Sequence, residues 1–125
     1  MTLTFTPEAT QTKLLNDYTV EDIQNIVALA KAEAYGAAMA HIEQYGEQAY
    51  CGFAWVNIWD IKGNTKLGKR MKAAGLDKDY TGAYSIWNPS ALGTQCMSTK
   101  EAGASAAAAV FKAYGFKCSA GSRAD

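Results

Sequence analysis

Residues 63–70 read G-N-T-K-L-G-K-R, which matches the phosphate-cradling pattern G-x-x-x-x-G-K-[ST] through its lysine and fails at the last position. Such a loop needs backbone N–H groups free to close around a phosphate, a lysine to neutralise it and a hydroxyl to hold magnesium. Arg70 stands where the hydroxyl is required, and no later strand ends in an aspartate that completes a metal site. Asn64 is a good helix cap, which places Gly68 and Lys69 in helical turns that cannot wrap a phosphate. The stretch therefore reads as a plain anion site, with backbone N–H groups at Thr65 and Lys66 assisted by Lys69 or Arg70, or as a solvated basic helix face.

Cys51, Cys96, Cys118 and the single histidine, His41, are the other reactive side chains. No two cysteines have the short spacing of a metal knuckle, so no metal site is expected. Cys51 and His41 form a nucleophile and base only if the fold brings them together. One histidine leaves acid–base chemistry to carboxylates and lysines, and no catalytic residue or cofactor is assigned.

A more coherent group comprises Trp87-Asn88-Pro89, Gln95, Lys100 and residues 122–125, S-R-A-D. Each lies near an expected strand end, helix start or terminal segment, where layered α and β structures place ligand crevices. Tryptophan supplies a stacking face, amides read polar edges, and Arg123 with Lys100 can pair with phosphate or carboxylate. The competing reading is ordinary core and surface.

The elements that must position these residues follow from periodicity. Thr19 with Asp22 resembles a helix start, and Ile23, Ile26, Val27, Ala30, Ala34, Ala37 and Ala38 continue at helical spacing to Ile42 and Tyr45 before Gly46. This predicts a long first helix with a kink at Gly36. Residues 50–61, Y-C-G-F-A-W-V-N-I-W-D-I, are apolar on both alternating faces, which predicts a central strand buried on both sides. Asn64 then caps a short helix ended by Gly75, and residues 80–87 form a second strand ended by Asn88-Pro89. Ser98 and Glu101 read as a capping box for an alanine-rich helix stopped at Gly115, and the last ten residues suggest a third strand. The expectation is a small layered α/β (or α+β) domain over residues 19–125, with three to four strands alternating with three helices and joined by crossovers. Residues 1–18 read as an N-terminal arm or edge strand.

The chain has 125 residues, a length for one core. It is 49% hydrophobic and 19% charged, as globular domains are, and its twelve basic residues cancel twelve acidic ones. That balance excludes the electrostatic footprint of a duplex-DNA binder and is compatible with self-association. Three scattered cysteines suggest buried thiols in a reducing compartment. No leader pattern opens the sequence and no apolar run reaches membrane-spanning length, so a soluble cytosolic protein without a membrane partner is expected.

The strings C-G-F-A-W-V (51–56), G-N-T-K-L-G-K (63–69), S-I-W-N-P-S (85–90), G-T-Q (93–95), K-E-A-G-A-S-A (100–106) and S-R-A-D (122–125) resemble a family of small proteins of tailed bacteriophages, cyanobacterial phages among them. The resemblance covers residues 50–125 and implies an origin and a host-cytoplasm location; it carries no assigned activity. Its polar members are Asn64, Lys69, Asn88, Gln95, Lys100, Arg123 and Asp125. With Trp87 they make the expected ligand-binding set, meeting in one positively charged hollow. Small phage proteins often act against the host, which suggests a non-enzymatic, oligomeric binder of a small anionic ligand, a nucleotide-derived signal such as a cyclic nucleotide, held without being destroyed. Two alternatives stay open: a small hydrolase or transferase using Cys51 or a carboxylate, and a host-protein inhibitor or structural phage component.

Overall fold

A computed structural model describes residues 13–46, 51–79, 81–93 and 96–124. Helix α1 (Val20–Tyr45) begins with a complete capping box, Thr19 accepting from the Asp22 amide while the Asp22 carboxylate accepts from the Thr19 amide. It runs unbroken through Gly36 and stops at Gly46, whose φ of 69° few other residues adopt. Strand β1 (Gly52–Ile58) follows, then α2 (Lys66–Ala73), the two-residue β2 (Asp77–Lys78), β3 (Tyr84–Trp87), α3 (Met97–Ala113) and β4 (Cys118–Ala124).

The sheet order is β2-β3-β1-β4, and every neighbouring pair is antiparallel. Hence β1 runs parallel to β2 with β3 between them, and β3 parallel to β4 with β1 between them. Two split β–α–β units, β1-α2-β2 and β3-α3-β4, interleave in the ferredoxin-like arrangement, with α1 added in front. The domain is thus α+β, and the expected crossovers are the two helices that span a skipped strand.

One face of the sheet makes the core. Ala54, Val56 and Ile58 of β1 and Tyr84 and Ile86 of β3 are buried with Ile23, Ile26 and Leu29 of α1 and Val110 and Phe111 of α3. Small residues let the helices close on each other: Ala30, Ala34 and Ala38 are buried along α1, Ala104 and Ala107 along α3. A Cβ on Gly103 would stand 3.2 Å from the Ala34 carbonyl oxygen. The described part of the N-terminal segment is docked rather than extended. Leu15–Asp17 form a 3-10 turn, Tyr18 stacks on Phe116 and donates to the Tyr114 carbonyl at 2.7 Å, and Arg70 donates to the carbonyls of Asn16 and Tyr18 at 2.7 and 3.1 Å.

Four further expectations need correction. The α2 cap is Thr65, not Asn64: its hydroxyl accepts from the Gly68 amide and donates to Lys62 O, and its own N–H also bonds Lys62 O. Ser98 and Glu101 lie inside α3, whose cap is Cys96, two residues earlier, without a side-chain cap bond. Cys51 is exposed, although Cys96 and Cys118 are buried. Most important, β1 is central but buried on one side only.

Candidate functional site

The uncovered sheet face follows from the pleat. Along β1, Phe53, Trp55 and Asn57 alternate with core residues and all remain half-buried, as does Trp59 just beyond the strand. The register sets their neighbours: Phe53 lies opposite Arg123, Trp55 between Trp87 and Gly121, and Asn57 between Ser85 and Ser119. Two aromatic rows therefore flank a row of small polar side chains. Trp55 and Trp59 are four residues apart in sequence, about 14 Å along the strand at 3.4 Å per residue, with Asn57 midway.

The Trp55 and Trp87 indoles stack with centroids 5.2 Å apart and planes 6° apart. Phe53 extends the wall, 5.6 Å from Trp87. The wall depends on Gly121, because a Cβ there would stand 2.6 Å from Trp55 Nε1 and 2.7 Å from Cε2. Across the polar row, Trp59 Nε1 donates to Ser119 Oγ at 3.3 Å. The resulting slot, about 370 Å³, has tryptophan walls, a floor of Asn57 and Ser85, Arg123 at one side and Asp79 with Thr81 at the rim. That volume suits one ring system with a short substituent. Trp87 keeps 58% of its surface exposed, so its indole is available for stacking.

Asp79 keeps the rim in shape. Its Oδ1 accepts from the amide and hydroxyl of Thr81 and from the Ala83 amide, and the Thr81 hydroxyl, the largest cause, holds its carboxyl below the usual carboxylate range. Asn57 carries the one buried side-chain oxygen or nitrogen that lacks a partner among the described residues, its Oδ1. Native structures leave few such atoms.

Of the residues expected from the sequence, three gather around Phe53. Trp87 touches it, the Arg123 guanidinium lies 6.0 Å from its centroid and Lys100 Nζ lies 5.2 Å away. Lys100 is 7% exposed, and its ammonium donates to the Gly52 carbonyl at 3.0 Å; no carboxylate among the described residues pairs with it. Asn88 is adjacent but committed to its own loop. At φ 46° it donates from Nδ2 to Leu92 O and accepts from Ser90 at Oδ1.

Asn64 and Lys69 do not join them. Both are exposed and follow the far end of β1, about 17 Å from Phe53 even at Ile58, whereas Arg123 pairs with the near end. The expected single positive hollow is therefore not formed by these residues. Gly68 is buried in α2 because the Lys62 carbonyl and Gly63 Cα sit where a side chain would go, and it accepts a hydrogen bond from Tyr84. Gln95 and Asp125 lie outside the described residues. The thiol–histidine pairing gains no support: His41 Nδ1 lies 3.3 Å from Thr99 Oγ1 and its ring packs on Tyr45. Among the described residues no three metal-ligating side chains cluster, and no helix is long and apolar enough to cross a membrane.

Phe53, Trp55, Asn57, Trp59 and Gly121 were not in the expected set. The available signal was the single polar residue, Asn57, in an otherwise aromatic register, since a two-sided core strand has no reason to carry an amide there. No family model, curated protein or solved structure matches this chain.

Proposed function

We propose that the chain is a non-catalytic binder of a nucleotide-like ligand seated in the tryptophan slot. The observation that carries this reading is the parallel Trp55–Trp87 stack, which lines one slot with Trp59 and a polar floor on the sheet face that no described helix covers. Exposed base-stacking aromatics on an antiparallel sheet bind bases in other proteins with no sequence relation, so this likeness is one of chemistry. Arg123 beside the slot supplies the charge for one phosphate. Asp79, the rim carboxylate, is held ionised by its own turn and is not poised to exchange protons at neutral pH. In the phage setting implied by the sequence resemblance, such a protein would sequester a host signalling nucleotide without destroying it.

The test is a titration of mononucleotides, cyclic dinucleotides and cyclic ADP-ribose-type compounds, followed by tryptophan fluorescence and melting temperature. Quenching with a rise in melting temperature, both abolished in Trp87→Ala, is the expected result. No response across the panel would sink the reading.

Self-association is proposed alongside it, on a separate surface. The outer face of α1 exposes Ala28, Ala32, Tyr35 (51%) and Met39 (42%), and a Cβ on Gly36 would meet nothing within the protomer. Exposed apolar residues gathered on one helix face mark a contact surface. Antiparallel pairing with a second copy sets the small Ala28–Ala32 half against the larger Met39–Ile42 half. Sedimentation is expected to show a dimer at micromolar concentration that Tyr35→Glu with Met39→Glu dissociates; a wild-type monomer would contradict it.

A further inference from the structure

Asn57 is the polar centre of the slot, flanked on its strands by Ser85 and Ser119 and bounded along its own strand by Trp55 and Trp59. Ser119 already accepts the Trp59 N–H. The Asn57 Oδ1 is shut from water and accepts no hydrogen bond from the described residues. Leaving a carbonyl oxygen so placed is unfavourable, and a nonpolar residue of similar size would fill the position without that cost. An amide retained between two aromatic walls is best explained by a partner that arrives with the ligand.

We infer that Asn57 reads the edge of the bound ring, its Oδ1 accepting a hydrogen bond from an exocyclic amino group or ring N–H. This inference rests on the stacking reading of the slot and narrows its ligand to amino-bearing bases over bare rings of the same shape. The geometry is consistent: Asn57 lies between Trp55 and Trp59 on β1, so a ring stacked on the exposed Trp87 indole can turn its edge toward the slot floor. Ser85, beside Asn57 on β3, supplies a hydroxyl that can donate or accept at the neighbouring ring position. Because Oδ1 is closed to water, ligand entry requires the lining side chains to part, so binding reorganises the tryptophans. An amide that pairs with an adenine-type edge uses the same chemistry by which asparagine reads adenine in nucleic acids.

The discriminating pair is adenosine 5′-monophosphate and purine riboside 5′-monophosphate, which differ only by the amino group. Each is titrated into wild type, Asn57→Leu and Asn57→Asp by tryptophan fluorescence, with far-UV circular dichroism confirming the fold. Wild type is expected to prefer the amino-bearing nucleotide by about tenfold, the worth of one buried hydrogen bond against an unpaired acceptor. Asn57→Leu should bind both about equally, and Asn57→Asp, which keeps the acceptor, should retain the preference. Equal binding of the two by wild type, or a preference that survives in Asn57→Leu, overturns the role of Asn57 while leaving the stacking site intact. Wild type binding neither nucleotide overturns the stacking site itself, and the inference with it.

Discussion

Replacing Gly121 with alanine tests the slot with a single methyl group. Gly121 has no positive φ, so alanine is tolerated by the backbone there and the whole effect comes from what its Cβ meets. That atom would stand 2.6, 2.7 and 3.0 Å from Nε1, Cε2 and Cζ2 of Trp55. Ordinary contact requires about 3.6 Å, so the indole must retreat by about 1 Å. Retreat is blocked on the other side by Trp87, stacked at 5.2 Å. The ring must therefore turn out of its stack, forfeiting roughly 0.5–1.5 kcal/mol of aromatic contact and adding about 1 kcal/mol of packing strain. The lower entropy of the unfolded alanine chain returns about 0.4–1 kcal/mol. A net loss of about 1 kcal/mol follows, a melting-temperature drop of about 4 °C for a domain of 125 residues. Thermal melts give that figure, near-UV circular dichroism reports the indoles, far-UV circular dichroism reports the fold, and nucleotide titration should show at least about tenfold weaker binding, as when a stacking ring is lost. An unchanged near-UV spectrum with wild-type stability would mean that Trp55 does not lie over Gly121, and the slot as described would not exist.

Three further outcomes are expected. Gly68→Ala should destabilise by about 2–3 kcal/mol in urea melts, because its Cβ meets the Lys62 carbonyl and Gly63 Cα, which are backbone and cannot swing aside; a wild-type midpoint would refute that packing. Cys51 and Cys96 are cross-strand partners, and such pairs have Cα atoms about 4.5–5.5 Å apart, within disulfide reach. Diamide should therefore give an intramolecular bond between them by peptide mapping, while Cys118, its thiol pushed up to about 11 by burial, stays reduced; a product made only of dimers linked through Cys51 would exclude the pairing. The Asp22 carboxyl is held low, first by the Thr19 amide and then by Lys13, so its stabilisation is present above the unfolded carboxylate pKa and lost as pH falls through the lower folded value. The stability gap between wild type and Asp22→Asn should be open at neutral pH and close as pH falls below the ordinary carboxylate range; a gap independent of pH would contradict it.

Helix boundaries were the most legible part of the fold, because their signals are local. Thr19 and Asp22 start α1 as expected, there closing a full capping box, and Gly46, Gly75 and Gly115 all take the positive φ that ends a helix cheaply. Ser98 misled for the same reason: its capping signature lies two residues past the true cap, Cys96, which makes no side-chain cap bond that would mark it. Strand β2 has two residues, too few for any period. The exposed face was hidden by composition, since Phe53, Trp55 and Trp59 on one side read as apolar as Ala54, Val56 and Ile58 on the other. Trp87, Lys100 and Arg123 could be chosen by chemical type, and the fold does bring them around Phe53. Asn64 and Lys69 were chosen in the same way, but a strand's length separates them from the site, and only strand register reveals that.

The chemistry of this face explains why charge is a poor guide to its ligand. Arg123 is the single cation lining the slot, while Lys100 spends its ammonium on the Gly52 carbonyl and the Phe53 ring. Asp79 sets a negative charge at the opposite rim. Among the described residues one cation stands against one anion, and with zero net charge on the chain a phosphate-rich duplex has little reason to approach. Three tryptophans, by contrast, carry large stacking surfaces that bulk water does not satisfy, and exposed apolar patches on soluble proteins mark contact sites. Polar residues would have served a solvent-facing strand equally well with less risk of aggregation. Rings kept there, with a glycine seating one of them and an amide between them whose oxygen lacks a partner among the described residues, make sense if the missing partner is itself a flat ring with a hydrogen-bonding edge.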